Sequence, residues 1–265
     1  MPRSVRMMAV LGVLMLCVAG ATLLGQGRAG RGQREGGGGP GGPAGPPAPR
    51  QQPARALRVE YPPLFFREDW KLDPKAPNQN SADEPEHMIG QGDVANPNLE
   101  VHLYGHKEGT RIADQTYNNQ VYAMTLLCES NCAITLRHKT NNVDLTGVAT
   151  IKWRTRVSGF HFLRPVIKLA DGTWLVGDKF SSLSTNFVDT EFQVGDIRWR
   201  NLDIAPVTES RDGYWVDYPD LSSVEEIGFT DLMRGSGHGS GGGSRLDWIE
   251  VYGKPVPRTA TSSRR

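Results

Sequence analysis

The sequence is poor in cysteine, in charge of one sign and in long apolar runs. Three of its 265 residues are cysteine, too few for a disulfide-dense scaffold. Its formal net charge is +1, so it lacks the basic field on which nucleic-acid binding rests, and no nucleic-acid partner is expected. Helical periodicity sustained over several turns is missing, as is any repeat of constant period, which argues against bundles, propellers and solenoids. Catalytic signatures are missing too. There is no Gly-x-Ser-x-Gly elbow and no His-Glu-x-x-His. The run Gly235-Ser236-Gly237-His238-Gly239 lacks the Gly-Lys-Ser/Thr ending of a phosphate loop and reads as an inter-strand loop. Acidic residues such as Glu100, Asp178, Asp189, Glu191 and Asp196 form no recognisable pair of glycosidase carboxylates.

The long apolar run that does occur comes early. Arg3 and Arg6 precede MMAVLGVLMLCV, Met7 to Val18, and Ala19-Gly20-Ala21 follows. This layout reads as a signal peptide over residues 1–21, cleaved after the small-x-small triplet. An uncleaved anchor is the alternative. Leu16 stands before Cys17 where a lipoprotein signal wants a small residue. No later stretch is apolar and long enough to span a bilayer, so no membrane span is expected in the mature chain. Residues 22–56 are dominated by glycine, proline and arginine. They have almost no large side chain to bury, so a disordered tether is expected. Residues 258–265 are expected to fray likewise. The chain is therefore expected in the periplasm, the cell envelope or outside the cell. Between the ends lie residues 57–257, the size of one large all-β domain.

With Cys17 removed, Cys128 and Cys132 remain, in LLCESNCAITL. A disulfide across this tight turn suits an oxidising compartment. Half of a zinc site is the other reading, but no second cysteine pair occurs to complete it. The runs on either side, VYAMTLL and AITLRH, are expected to pair as a hairpin across the turn.

Period-two alternation runs through the domain. LEVHLYGH sets Leu99, Val101 and Leu103 against His102, Tyr104 and His106. TIKWRTR sets Ile151 and Trp153 against Lys152, Arg154 and Arg156, and DIRWRNLDIA sets Ile197 and Trp199 against Arg198 and Arg200. In RPVIKLADGTWLVGD an Asp171-Gly172 turn separates two apolar runs, a strong hairpin signal. EEIGFTDLM and SRLDWIEVYGK read as the last strands. Many short strands punctuated by Gly, Asn, Asp and Pro define an all-β sandwich or jelly roll.

The segment LSSVEEIGFTDLMRGSGHGSGGGSRLDWIEVYG, residues 221–253, resembles the C-terminal part of galactose-binding-like jelly rolls, among them carbohydrate-binding modules. Val224, Ile227, Gly228 and Phe229, then Leu246, Asp247, Ile249 and Val251, are the matching residues. The resemblance implies a galactose-binding-like β-sandwich and a carbohydrate or glycan partner. It also implies a structural calcium between an early acidic strand and the last strand, a placement that Glu68, Asp69 and Asp247 match; no other cofactor is expected. LFFREDW is similar to the opening strand of keto-disaccharide hydrolase-like proteins, which keeps a secreted glycoside hydrolase as an alternative. An envelope scaffold that binds protein is a third.

The residues offered for ligand binding are basic and aromatic. Arg154 and Arg156 share one strand face, Arg198 lies on another, and Arg164 and Lys168 come from the PVIKL run. Where these strands neighbour each other, one sheet face gathers guanidinium forks suited to vicinal hydroxyls and carboxylates. A solvated face paired with Asp and Glu is the alternative. Trp174 has opposite parity to Leu175, and Trp215 lies in the loop-like DGYWVDYPD. Either ring is a candidate platform for the C–H face of a sugar, whereas Trp153 and Trp199 alternate with isoleucine and are expected in the core. His102 and His106 are too far apart on a straight strand to share one metal ion.

Overall fold

In a computed structural model of the chain, the residues described are 59–80, 85–115, 120–209, 215–232 and 242–258. All of them belong to the unit that begins at Leu57. The expected signal peptide, tether and C-terminal tail beyond Arg258 lie outside the described residues, as does most of the Gly235–Gly243 loop.

No α-helix occurs among the described residues. In chain order the strands are β1 (Leu64–Glu68), β2 (Glu86–Met88), β3 (Leu99–Gly105), β4 (Arg111–Gln115), β5 (Gln120–Met124), β6 (Cys132–His138), β7 (Asn141–Asp144), β8 (Thr150–Ser158), β9 (Leu163–Leu169), β10 (Trp174–Gly177), β11 (Val188–Gln193), β12 (Trp199–Asp203), β13 (Thr208–Glu209), β14 (Trp215–Val216), β15 (Val224–Asp231), β16 (Gly243–Tyr252) and β17 (Lys254–Pro257). A seven-stranded sheet runs β11-β8-β16-β5-β4-β2, with β1 also on β16. A ten-stranded sheet runs β13-β12-β10-β9-β15-β6-β3, with β14 on β12 and with β7 joining β15 to β17. Every strand pairing is antiparallel. This is the β-sandwich of jelly-roll kind that the alternation predicts.

The core forms between the sheets because each strand turns its apolar set inward. Ile112, Ala123, Ile151, Trp153, Leu246 and Ile249 come from the seven-stranded sheet and join Ile134, Ile167, Leu175, Trp199, Ile227 and Phe229 of the ten-stranded sheet. Trp153 and Trp199 are buried in it, as expected. Trp153 packs edge to face on Phe192 at 5.0 Å and donates its indole N–H to Ser181 at 2.9 Å. Burying such a ring with its polar atom satisfied stabilises without a desolvation cost.

The Asp171-Gly172 hairpin forms between β9 and β10. Gly172 takes φ +92, open to glycine at no steric cost, and the Asp171 carboxylate accepts the Thr173 amide at 2.8 Å.

The cysteine turn differs from expectation. Cys128 and Cys132 are joined by a disulfide, but the strands flanking it do not pair. β5 sits between β4 and β16 in one sheet, and β6 between β3 and β15 in the other. The disulfide therefore staples a crossover from layer to layer. Alternation gives the inward face of each strand but not its partner, and β5 pairs back with β4 and with the distant β16, while β6 enters the other sheet beside β3 and β15.

Candidate functional site

The outer face of the ten-stranded sheet carries most of the chemistry outside the core. Register brings it together. Trp174 on β10 pairs with Lys168 on β9, Lys168 with Glu226 on β15, and Glu226 with Arg137 on β6. Side chains of directly paired residues point to one face, so these four form a row across four strands. Beside it, His102 and Tyr104 of β3 oppose Thr135 and Ala133 of β6. Toward the other edge, Val176 opposes Arg200, and Arg200 opposes Trp215 of β14.

Glu226 is the hub of this face. Its side chain is 1% exposed. Oε2 accepts hydrogen bonds from Thr135 Oγ1 at 2.6 Å and from Tyr104 Oη at 3.0 Å, and His102 Nδ1 stands 3.0 Å away. Lys168 Nζ lies 3.4 Å from Oε1 and 3.0 Å from Glu225. Burial alone would raise the carboxyl pKa, but the bonds from His102, Thr135 and Tyr104 override it and hold the group down at about 2. Burial and the neighbouring carboxylate push the Tyr104 phenol up.

Two rings flank the hub. Tyr104 and Trp174 meet edge to face with centroids 4.9 Å apart, and Lys168 Nζ lies 5.8 Å from the Trp174 ring. Trp174 is half-buried, with its neighbour Leu175 turned into the core.

The hairpin from β12 to β13 folds over one end of the face. Val207 is buried against Ala133, Val166, Val176 and Leu202, and its carbonyl accepts Asn131 Nδ2 at 2.7 Å. On the hairpin itself, Glu209 of β13 bridges two arginines. It contacts Arg164 Nη1 directly and Arg200 Nη1 at 2.9 Å, while Arg164 Nε donates to the Gly177 carbonyl at 2.7 Å. At the edge, the Arg198 guanidinium stacks 4.1 Å from the Trp215 ring centroid, with Arg200 at 5.3 Å. A recess of about 430 Å³ opens here, lined by Arg198, Trp215, Asp217, Tyr218 and Pro219 among others. Tyr218 is 99% exposed and held at φ 54, a left-handed conformation that costs a non-glycine residue about 1–3 kcal/mol.

Five of the seven residues expected to bind ligand thus lie on or beside one face: Arg164, Lys168, Trp174, Arg198 and Trp215. Arg154 and Arg156 do not join them. They stand on β8, on the outer face of the other sheet, where Arg154 Nε lies 3.7 Å from Asp189 and 3.5 Å from Asp247. Glu226, Glu209 and Thr135 were not anticipated as members of the network. The parity of LEVHLYG puts His102 and Tyr104 outward, but their partner on β15 is more than a hundred residues away.

Glu68, Asp69 and Asp247 each accept hydrogen bonds from the protein itself. Glu68 is buried and accepts the amides of Trp70 at 2.9 Å, Ala95 at 2.7 Å and Asn96 at 3.1 Å. Asp69 accepts from Arg67 Nε at 2.8 Å, and Asp247 from Gln120 at 2.6 Å. Among the described residues no group of three or more His, Cys, Asp or Glu side chains is arranged to hold a metal ion.

No family model matches the chain, and no curated protein matches it. Solved structures give distant likenesses. The family 11 carbohydrate-binding module from Clostridium thermocellum, in complex with a β-1,3-1,4-mixed-linked tetrasaccharide, is 14% identical, covers 72% of this chain and 98% of its own, and has a TM-score of 0.31. The family 11 module of a cellulosomal cellulase of that organism is 13% identical over 73% of this chain and 98% of its own, with a TM-score of 0.31. The structure of an exo-β-agarase is 12% identical over 64% of this chain and 25% of its own, with a TM-score of 0.35. At such scores the likeness bears on no ligand and no residue of this chain.

Proposed function

We propose that this protein is an exported, noncatalytic carbohydrate-interacting domain, and that the outer face of the ten-stranded sheet holds the sugar. The observation that carries this reading is the Tyr104–Trp174 pair, 4.9 Å apart, both rings partly exposed and set among fixed donors and acceptors. A sugar has apolar C–H faces and hydroxyl edges. Aromatic rings match the first, and Lys168, His102, Arg200 and the carboxylates of Glu225 and Glu209 match the second. The strained, exposed Tyr218 beside Trp215 supports an extension of the site to the β14 edge, because strain of this kind clusters at functional sites.

Glu226, held down by its bonds from His102, Thr135 and Tyr104, stays ionised near neutral pH, which speaks against it as the acid half of a glycosidase pair on this face and leaves the noncatalytic part to the assay below. The exported part is supported by the N-terminal sequence and by the Cys128–Cys132 disulfide, a bond that persists in oxidising compartments.

A glycan array probed with the full chain, run beside a reducing-sugar assay on the same glycans, tests both parts. Binding without release of reducing ends is expected. Turnover of any bound glycan would replace this reading with a hydrolase, and a blank array with a folded protein would remove it.

A further inference from the structure

Arg198 stands directly before β12 and reaches over its neighbour β14. Its guanidinium lies 4.1 Å from the centroid of the Trp215 ring, and that of Arg200 lies 5.3 Å from the same ring. The two arginines differ in what else holds them. Arg200 is tied to Glu209 at 2.9 Å. Arg198 is exposed, and among the described residues no carboxylate lies within ion-pair distance of its guanidinium. Asp178 bonds the Arg198 backbone N–H, at 2.9 Å, and not its side chain. Stacking on a ring holds a guanidinium flat while leaving its N–H fork free at the edge. Trp215 thus serves as the holder of Arg198, and the ring left free beside it is Tyr218.

Tyr218 is 99% exposed at φ 54 and is followed by Pro219. A residue before proline normally takes an extended backbone with negative φ. A left-handed backbone that presents a fully exposed ring gains the fold nothing through burial, so the strain has no structural return here. Between Tyr218 and Arg198 lies the recess of about 430 Å³, towards the small end of the range of about 300–1,000 Å³ for ligand pockets, which suits one sugar unit and not a length of chain. Trp199 is part of its lining. The Trp199 indole N–H is buried and has no hydrogen-bond partner, whereas that of Trp153 is satisfied by Ser181. Buried donors are normally paired, so the lining of the recess includes a donor without an acceptor.

We propose that this recess takes one acidic sugar unit of a glycan, with the carboxylate or sulfate of that unit on the Arg198 fork and its ring against Tyr218. The inference rests on the carbohydrate reading above and names the substrate class. The planar fork of an arginine matches the paired oxygens of either anion. A neutral unit leaves the Arg198 charge unmatched at the rim. Arg198 therefore selects for charge, while Tyr104 and Trp174 hold the glycan whatever its charge.

Affinity electrophoresis of the full chain tests it, in gels holding polygalacturonate, alginate, dextran sulfate or unmodified dextran. Retardation by an anionic polymer beyond that by dextran is expected, and the stronger of polyuronate and dextran sulfate identifies carboxylate or sulfate. Arg198→Gln should weaken that retardation roughly tenfold, the loss of one charge-assisted bond. Tyr218→Gly removes the ring and eases the left-handed backbone. It should melt no lower than the parent yet bind more weakly, whereas a merely structural tyrosine would lose both together. Anionic polymers that retard no more than dextran overturn the proposal, as does retardation that both variants leave intact. Trp174→Ala separates the two readings. Retardation lost in Arg198→Gln but kept in Trp174→Ala upholds the recess and removes the sheet face from the site. The reverse pattern removes the recess and keeps the face.

Discussion

Trp174 and Tyr104 meet edge to face at 4.9 Å although 70 residues of chain separate them, on strands that are not neighbours in the sheet. The contact reaches across β9, β15 and β6, so the two rings do not define a strand pairing. They define a surface.

That surface makes Trp174→Ala an informative substitution. The ring points away from the inter-sheet core but packs against the smaller outer cluster of Val166, Val176, Leu202 and Val207, so some stability is lost with it and circular dichroism must show that the variant is folded. An aromatic contact is worth about 0.5–1.5 kcal/mol beyond its buried area, so affinity for a glycan identified on the array should fall roughly tenfold by calorimetric titration. Stacking ignores charge, and neutral and acidic sugars on this face should lose alike. Unchanged affinity in a folded variant would move the site to the Trp215–Tyr218 edge.

Glu226 gives a prediction in pH. Its carboxyl titrates at about 2 in the folded chain against an ordinary value of 4.5. The folded state therefore binds fewer protons than the unfolded state across that window, and the stabilisation is fully present above about 4.5 and lost as pH falls towards 2. Denaturation followed from pH 6 down to pH 2 should show a steep acid limb. In Glu226→Gln that limb should be shallower, with lower stability at neutral pH because three donors lose an ionised acceptor. An acid limb of equal slope in the variant would mean that other carboxylates dominate it.

Much of this architecture was legible in local sequence. The inward set of β8, Ile151 and Trp153, and its outward set, Lys152, Arg154 and Arg156, follow from the two-residue period alone. The Asp171-Gly172 turn fixes both its strands and their pairing, because a tight hairpin leaves no other register. What local pattern does not carry is which sheet a strand enters. Arg154 and Arg164 read as neighbours, ten residues apart, yet β8 and β9 lie in opposite layers. Glu226 was hidden for the same reason. It reads as one acid in an EEIGF strand, and its three donors come from strands a hundred residues earlier, through pairings that only the folded register decides.

The cysteine turn carries the last prediction. Cys128 and Cys132 are four residues apart, and loop-closure entropy for so small a ring stabilises by about 2 kcal/mol. The loop it closes does more than turn. Glu129, Ser130 and Asn131 line a cavity of about 590 Å³ together with Gly105, His106 and Thr208, and Asn131 holds the Val207 carbonyl of the hairpin that folds over the outer face. The ring is thus coupled to the cover of the candidate site. Mass spectrometry of exported protein without reduction should show the chain two hydrogens lighter than its sequence mass, and two alkylatable thiols in native protein would refute the bond. In Cys128→Ser/Cys132→Ser the melting temperature should fall modestly, while amide exchange should rise first in residues 204–208, where Asn131 lets go. Exchange that rises instead across the β5 and β6 ladders would mean the disulfide holds the sheets themselves, and not the hairpin that covers one of them.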